Sequence, residues 1–221
     1  MDWIINFIRT FFDYALHIDE KLPVLFNTYG SYAFAIIFLV IFCETGLVVV
    51  PFLPGDSLIF AIGAVAKMAN LDIFVAYGLL LTAAIAGNLV NYCIGHTIGE
   101  KIFEKETHRF IKVEYLLKAQ AFYEKHGGMA IILSRFMPII RTFAPFVAGI
   151  GKMNFMRFFI YNLIGGFSWV SLLLFSGYFF GTIPFVKSNF EYVVLAIIAI
   201  SLLPAVIAGL KAKFSKNSEE S

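Results

Sequence analysis

The sequence predicts an all-α polytopic membrane protein built as an inverted repeat, with two opposed re-entrant helical hairpins, three clean transmembrane helices and amphipathic interfacial helices. Composition is the first reason, because 60% of the 221 residues are apolar, 14% are charged and the mean hydropathy is +0.82. Soluble proteins are about 25% charged. The second reason is that long uncharged stretches alternate with apolar stretches broken by prolines and charges. The third is that the broken stretches resemble each other.

The same composition excludes several other classes of protein. The chain has too little polar surface to cover a water-soluble globule, and its net charge of +2 argues against a polybasic nucleic-acid binder. Cys43 and Cys93 both lie in apolar runs, which suits neither a disulfide framework nor a metal cluster. Because no histidine has a partner at metal-ligand spacing, we expect no metal and no cofactor.

The N-terminal segment, residues 1–21, is too polar to span a membrane but has the period of an amphipathic helix. Its apolar residues recur at helical spacing: Ile4, Ile5, Ile8, Phe11, Phe12, Ala15 and Leu16. Polar residues occupy the other face, which predicts a helix lying in the membrane interface. The segment lacks the basic start and the small-residue cleavage site of a signal peptide, so we expect it to be retained.

Three stretches are long and apolar enough to cross a bilayer as single helices. They are Ile73–Gly99, Phe158–Val186 and Tyr192–Leu210, and none contains Asp, Glu, Lys or Arg. A transmembrane helix needs about 20 mainly apolar residues. We therefore predict a transmembrane helix in each stretch.

Two other apolar regions, Leu22–Ala66 and Met129–Gly151, are interrupted. The first contains ETGLVVVPFLPGD (44–56), and the second contains SRFMPIIRTFAP (134–145). Proline removes a hydrogen bond from a helix and clashes with the preceding turn. Broken backbone at membrane depth is tolerated only where protein or a water-filled cavity surrounds it. Both regions are therefore predicted to be re-entrant helical hairpins.

Positive charge is concentrated in two segments and predicts the topology. Six Lys and Arg residues lie in residues 99–126 and three lie in residues 211–221, so the positive-inside rule places both segments in the cytoplasm. Joining them on one side requires an even number of crossings. The last two clean spans supply two, so residues 129–151 should enter and leave by the same face. We expect a multi-pass protein with a cytoplasmic C-terminus, while the side of the N-terminus stays open.

The two interrupted regions also resemble each other. YGSYAFAIIF (29–38) opens the first and HGGMAIILSRF (126–136) opens the second, while GAVAKM (63–68) and GIGKM (149–153) close them. Because one crossing separates the hairpins, they should enter from opposite faces, as in many secondary transporters. The expected organisation is one membrane domain, residues 1–221, divided into an amphipathic helix (1–21), a first repeat (30–98), a charged cytoplasmic segment (99–126), a second repeat (127–186), a last transmembrane helix (190–210) and a cytoplasmic tail (211–221).

The positions of the charged residues single out four of them. Of the 32 Asp, Glu, Lys and Arg residues, six, eleven and five lie in residues 1–21, 99–126 and 211–221. Six more flank apolar stretches, where long side chains can reach the interface. The remaining four lie inside the interrupted regions: Glu44, Asp56, Arg135 and Arg141. Ionisable residues inside a membrane are costly and mark substrate or proton pathways, so these four form the predicted site.

Two interpretations of these four residues stay open. In the functional one, Arg135 and Arg141 bind the phosphate oxygens of an anionic head group. Burial favours the neutral form of a carboxyl group, so Glu44 or Asp56 could exchange protons and couple transport to a proton gradient. In the structural one, acids and arginines only neutralise each other as ion pairs between the hairpins. That alternative predicts that a double charge reversal of Glu44 and Arg135 restores function.

Four uncharged polar residues are further candidates for the wall of a cavity. Asn88, Asn91 and Tyr92 lie in the first clean span, and Asn162 lies in the second. Such residues can line a polar cavity, and they can equally form hydrogen bonds between helices.

The chain resembles the DedA family of bacterial inner-membrane proteins, part of the wider group that includes the eukaryotic VTT-domain lipid scramblases. The resemblance covers nearly the whole chain and rests on these motifs: ETGLVVVPFLPGDSLIF (44–60), GNLVNYCIG (87–95), FYEKHGG (122–128), RFMPIIRTFAPFVAGIGKM (135–153), YNLIGGFSW (161–169) and GYFFGTIP (177–184). It implies two re-entrant hairpins and a role in membrane homeostasis. Some members are implicated in returning undecaprenyl phosphate across the inner membrane. Others are described as proton-dependent transporters needed for proton motive force, drug resistance and cell division.

The resemblance also bears on individual residues. The functional acids and arginines of those members match Glu44, Asp56, Arg135 and Arg141. Many members carry Asp where this chain has Asn88, so no proton-relay role is carried over to that position.

The expected function is that of a transporter of the bacterial inner membrane. Its expected substrate is an anionic lipid phosphate carrier, undecaprenyl phosphate, with protons as a possible coupling partner and no nucleic acid. A proton-coupled exporter of small ions or cations, in which the arginines only balance the acids, is the alternative. A structural membrane protein without a substrate is another, and the sequence leaves room for an oligomer. We expect that the protein is not an enzyme, because no nucleophile is paired with a base or metal at recognisable spacing.

Overall fold

A computed structural model describes residues 18–47, 55–66, 71–104, 121, 124–193, 195–197 and 199. These residues contain no β-strand, in agreement with the predicted all-α class. Their main helices are α1 (Ile18–Tyr29), α2 (Tyr32–Gly46), α3 (Gly55–Ala66), α4 (Ile73–Glu104), α5 (Met129–Ser134), α6 (Pro138–Ile150), α7 (Phe155–Phe180) and α8 (Pro184–Ser188).

Two of these helices, α4 and α7, are long and apolar enough to cross a membrane. The qualifying stretches are Ile73–Thr97 and Phe155–Phe180. They overlap the first two predicted spans. Helix α4 continues to Glu104, and α7 runs from Phe155 to Phe180 rather than from Phe158 to Val186. The earlier end of α7 has a local cause, because Pro184 starts the separate helix α8 and disfavours helical backbone in the residue before it.

Polar side chains mark where both long helices begin. Asp72 Oδ1 accepts a hydrogen bond of 2.8 Å from the backbone N–H of Phe74, in the first turn of α4. Asn154 caps α7, and its side-chain oxygen accepts from the backbone N–H of Arg157 at 3.2 Å. Asp and Asn are preferred at these positions because the first N–H groups of a helix have no partner within it.

Both interrupted regions have a break in the helix where the sequence predicts one. Helix α2 ends at Gly46, and Leu47 after it has extended backbone. In the second region, α5 ends at Ser134 and α6 begins at Pro138, which occupies a helix start, where its missing N–H is not needed. Each region therefore contributes two short helices instead of one long span.

Several predicted segments fall wholly or largely outside the described residues. They are the amphipathic helix of residues 1–21, the tip of the first hairpin at 48–54, most of the charged segment 99–126, most of the last span 190–210, and the tail 211–221.

The helices of the two predicted repeats make similar main contacts. In the first repeat, α2 packs against α4, and in the second, α5 packs against α7. Across the repeats, α3 packs mainly against α7, and α6 packs mainly against α4. The long helices α4 and α7 also touch each other. Exchanging α2–α3–α4 with α5–α6–α7 leaves these contacts unchanged, although α2 also touches α6 and α3 also touches α4, contacts that the exchange reproduces at most weakly.

Glycines allow the contacts across the repeats to be close. A Cβ at Gly177 of α7 would lie 2.0 Å from the backbone oxygen of Phe60 in α3. The same holds between α4 and α6, where a Cβ at Gly95 would lie 2.2 Å from the backbone oxygen of Phe146. Small residues let membrane helices approach in this way.

Apolar packing is divided into two clusters, with buried polar residues between them along both long helices. On α4, Leu80 belongs to the larger cluster and Tyr92 to the smaller one, and Asn88 lies between them in sequence. On α7, Asn162 lies in the same way between Phe158 of the smaller cluster and residues from Trp169 onward in the larger. The candidate site is therefore positioned within both apolar spans.

Candidate functional site

Arg141 joins both predicted acids. Near the start of α6, its Nη1 donates to Asp56 Oδ1 at 2.6 Å, and its Nη2 donates to Glu44 Oε1. Glu44 lies in the last turn of α2 and Asp56 in the first turn of α3. Both side chains of the Arg141–Glu44 pair are well buried, with 11% and 0% of their side-chain surface exposed. One guanidinium group in α6 therefore links the end of α2 to the start of α3.

The backbone at Gly55 makes room for the Glu44 carboxylate. A Cβ at this position would lie 1.5 Å from Glu44 Oε2, so no other residue type fits without moving that carboxylate. Glu44 Oε2 is buried and has no hydrogen-bond partner among the described residues. One oxygen of this carboxylate is therefore bonded to Arg141, while the other faces the backbone of Gly55.

Arg135 has a different environment. It follows α5, it is only 4% exposed, and within the described part of the chain it makes no ion pair. Its Nη2 donates to Asn162 Oδ1 at 2.6 Å, with a longer contact of 3.4 Å to the backbone oxygen of Ala84. Its buried Nε has no partner among the described residues. A buried cation without a carboxylate beside it costs free energy, so Arg135 is a candidate functional residue.

Helix α7 is shaped to receive Arg135. A Cβ at Gly165 would lie 3.1 Å from Arg135 Cδ, so the glycine provides the space that the arginine occupies. Asn162 Oδ1 accepts a second hydrogen bond from Asn88 Nδ2 at 3.1 Å, and Asn162 Nδ2 donates to the backbone oxygen of Ile85 at 3.1 Å. This network fixes the amide oxygen that Arg135 uses.

Trp169 of α7 connects the two arginines, and sequence reasoning assigned it no role. Its Nε1–H donates to Asp56 Oδ1 at 3.1 Å. The Cζ atoms of Arg135 and Arg141 lie 5.8 and 5.6 Å from the centre of a Trp169 ring. The available signal was a tryptophan inside an uncharged span, because a buried indole N–H usually needs a partner.

The arginines, Asn88 and the tryptophan line a small cavity. Its lining residues are Thr45, Asn88, Arg135, Arg141, Thr142 and Trp169. Its volume of about 10 Å³ suits a single water molecule and is too small for a phosphate group. The wall is contributed by α2, α6, the residue after α5 and both long helices, so movement of any of these elements would change its size.

The other predicted wall residues lie elsewhere. Asn91 Nδ2 donates to the backbone oxygens of Thr142, at 2.8 Å, and Thr45, at 3.3 Å, so it joins α6 to α2. Tyr92 belongs to the smaller apolar cluster, where its hydroxyl donates to the backbone oxygen of Met153 and its ring stacks on Phe158. Of the four candidates, the described structure puts Asn88 on the cavity, while Asn91, Tyr92 and Asn162 make hydrogen bonds between elements.

The ion pairing differs from one sequence expectation. The structural alternative paired Glu44 with Arg135, but Glu44 bonds to Arg141. Arg135 and Glu44 are not bonded to each other in the described residues, so a double charge reversal of these two does not test an ion pair. Among the same residues, no group of three or more His, Cys, Asp and Glu side chains could hold a metal ion.

Comparison with known proteins assigns the chain to a family. Residues 53–179 match the VTT domain, which is more than half of the chain. Protein DedA of Escherichia coli is 51% identical over 203 residues, covering 91% of this chain and 93% of that protein. The chain belongs to the DedA family. The resemblance inferred from the motifs is thereby confirmed, and a close relationship to DedA is supported.

Other members of the DedA family place the chain in a membrane. An uncharacterized membrane protein of Mycobacterium leprae is 43% identical over 169 residues, 76% of each chain. Inner membrane protein YghB of Escherichia coli is 33% identical over 181 residues, covering 81% of this chain and 83% of YghB. No solved structure matches the chain. The VTT domain match includes Asp56, Arg135 and Arg141, whereas Glu44 precedes it.

Proposed function

We propose that this DedA-family protein is a non-enzymatic inner-membrane transporter that translocates an anionic lipid phosphate, undecaprenyl phosphate, with proton coupling, and so supports the cell envelope. The observation that carries the proposal is Arg135, which is buried and lies on a cavity beside Arg141. Among the described residues it has no carboxylate partner, and its Nε has no hydrogen-bond partner. Arginine binds phosphate through paired N–H donors.

The charges of the site explain why an anion and a proton would bind together. Glu44, Asp56, Arg135 and Arg141 sum to zero when all four are ionised. Bringing an anion into this site gives it a net negative charge, which is expensive where the dielectric constant is low. A proton taken up by Glu44 or Asp56 removes that excess. It also weakens the hold of the acid on Arg141, which can then contact the phosphate.

Two helix starts add to the attraction for an anion. Asp56 and Arg141 lie near the N-terminal ends of α3 and α6, and their hydrogen bond brings these ends together. Helix N-termini carry partial positive charge, and broken helices in transporters direct such ends at anionic substrate groups. The small cavity represents a closed state, and separation of α6 from α2 and α3 would open it.

The proposal includes a membrane topology. Helices α2–α3 and α5–α6 form re-entrant hairpins that enter from opposite faces, α4, α7 and the segment 190–210 cross the membrane, and the C-terminus is cytoplasmic. The exchange-symmetric helix contacts and the helix breaks support this arrangement. So does the spacing of the repeats, because Lys67 lies 11 residues after Asp56 and Lys152 lies 11 residues after Arg141.

The test is lipid translocation by purified protein in proteoliposomes, with and without a pH gradient. We expect the wild type to move undecaprenyl phosphate faster when a gradient is imposed. Arg135→Gln should abolish this movement, and Arg135→Lys should reduce it because an ammonium group cannot bind two oxygens in one plane. Arg157→Gln is the matched control, since this arginine is exposed at the start of α7. Equal rates for Arg135→Gln and wild type would refute the proposal.

The second candidate, a proton-coupled exporter of small ions or cations, is favoured by one observation. Arg141 is engaged by both acids, as expected if it only balances them. The same proteoliposomes loaded with a fluorescent organic cation discriminate the two functions. Proton-dependent loss of the cation without lipid movement would favour the exporter.

A further inference from the structure

Trp169 lies where the two parts of the charged site meet. It is 3% exposed, it lines the central cavity, and it contacts both arginines and one acid. These contacts join the cluster of Glu44, Asp56 and Arg141 to Arg135, which is otherwise held by Asn162 and backbone oxygens.

The guanidinium groups of Arg135 and Arg141 both lie against the indole of Trp169. This arrangement needs a physical explanation, because two positive charges repel each other strongly in a medium of low dielectric constant. The acids compensate the charge of Arg141, but Arg135 has no such partner among the described residues. The face of a tryptophan ring attracts cations through its quadrupole. The ring can thus hold an arginine in place without neutralising its charge, whereas a carboxylate would neutralise it. The charge of the arginine therefore remains available to a ligand.

The indole N–H has a separate effect on the acid. Asp56 Oδ1 accepts from both Trp169 Nε1, at 3.1 Å, and Arg141 Nη1, at 2.6 Å. The two donors fix the direction in which this carboxylate oxygen points. Trp169 therefore orients Asp56 toward Arg141.

We infer that Trp169 is a positioning residue of the anion site. Its ring holds the Arg135 and Arg141 guanidinium groups on the cavity wall, and its N–H directs Asp56 toward Arg141, so that an incoming phosphate meets two pre-oriented arginines. The inference rests on the proposed function in one respect, namely that the ligand is an anion. It adds a residue whose loss weakens binding although it carries no charge.

A fluorescence titration tests whether Trp169 senses the ligand. The chain contains two tryptophans, Trp3 and Trp169, so Trp3→Phe leaves Trp169 as the only one. Hexyl phosphate, added to this protein in detergent, should change the emission in a saturable way, and hexyltrimethylammonium should not. The change should be lost in Arg135→Gln and kept in Arg157→Gln. Binding of hexyl phosphate in calorimetry with no change of emission would overturn the inference.

Substitution of Trp169 tests its effect on affinity. Trp169→Phe keeps a ring but loses the N–H, and Trp169→Leu loses both. By calorimetry we expect the Kd for hexyl phosphate to rise about threefold and about tenfold, respectively, since about 1.4 kcal/mol corresponds to tenfold. Phe167→Leu, at an exposed position of the same helix, is the control and should leave the Kd unchanged. Because Trp169→Leu also removes core packing, the Phe variant decides the outcome if the Leu variant does not fold.

The outcomes separate this inference from the proposed function. If wild type binds hexyl phosphate and moves lipid but Trp169→Phe binds it with unchanged Kd, the positioning role is wrong and the proposed function stands. If wild type does not bind hexyl phosphate, the anion site itself is wrong and the inference falls with it. A purely structural role would lower the melting temperature of Trp169→Phe without changing its Kd, and this result would also overturn the inference.

Discussion

At the scale of single residues, the four embedded charges divide into two environments. Arg141 is bonded to Glu44 and Asp56, so its removal would leave two carboxylates without their cation. Arg135 is bonded to an amide and to backbone oxygens, and its removal breaks no ion pair recorded in the described residues. The two arginines of the sequence are thus chemically alike but have different energetic roles.

This difference predicts that the two arginine substitutions have unequal effects on stability. Arg141→Ala should destabilise the protein by about 3–5 kcal/mol, because it leaves buried carboxylates unpaired. Arg135→Gln should change stability much less, since the amide can still donate to Asn162, yet it should abolish binding of hexyl phosphate. Thermal unfolding in detergent and calorimetric titration measure the two effects, with Arg157→Gln as control. An equal loss of stability in both arginine variants would contradict the assignment.

At the scale of helices, close crossings at glycines bring the short helices of one repeat onto the long helix of the other. These crossings are backbone contacts, so a side chain cannot move aside to relieve a clash. At Gly177 the backbone oxygen of Phe60 occupies the space of a Cβ, whereas at Gly78, an exposed position of α4, nothing lies within 4 Å. The two glycines therefore form a matched pair for measuring the importance of the crossings.

Gly177→Ala should force α3 and α7 apart and lower the melting temperature, because the methyl group would lie 2.0 Å from a backbone oxygen. Gly78→Ala should be neutral or stabilising by up to about 1 kcal/mol, since alanine is the better helix former. The melting temperatures of the two variants in the same detergent test this contrast. If both alanines raise the melting temperature, the close crossing of α3 and α7 is wrong.

At the scale of the whole molecule, the arrangement of repeats predicts which segments share a side of the membrane. The proposed second hairpin enters and leaves by the cytoplasmic face, so His126 and Lys152 should lie on one side. The proposed first hairpin enters from the other face, so Leu71, which follows it, should lie opposite. A continuous crossing by residues 129–151 would instead separate His126 from Lys152.

Labelling of single cysteines checks this topology. In a Cys43→Ser, Cys93→Ser background, cysteines at positions 126 and 152 should react with a membrane-impermeant maleimide from the cytoplasmic side only. A cysteine at position 71 should react from the opposite side only. Labelling of positions 126 and 152 from different sides would exclude the re-entrant hairpin, whatever the substrate is.

Much of the helical framework could be predicted because its causes are local. Proline stops a helix by its own covalent structure, so the break before Pro138 follows from the sequence. The long helices α4 and α7 follow from uncharged apolar stretches, because a chain in lipid must satisfy its own backbone hydrogen bonds. The extension of α4 to Glu104 was missed because helix formation does not stop where charge begins.

The partners within the site could not be predicted, because they depend on contacts between distant parts of the chain. Asp56 and Trp169 are 113 positions apart, and Glu44 and Arg141 are 97 apart. No local feature of the sequence determines which arginine forms ion pairs with the two acids. The same is true of Asn91 and Tyr92, whose polarity indicated a cavity wall. The Asn91 amide and the Tyr92 hydroxyl instead donate to backbone oxygens.

The sequence by itself determined the class of protein, two helices long and apolar enough to span a membrane, the helix breaks and the four embedded charges. The apolar composition of each stretch and the covalent structure of proline are enough to predict these features, since their effects on the helices are local. Only the tertiary structure decided that Arg141 joins both acids, that Arg135 has no acid partner among the described residues, and that Trp169 contacts both arginines. These relations arise when α6 and α7 pack against elements about a hundred residues away, and in a medium of low dielectric such contacts determine which charge remains available to a ligand.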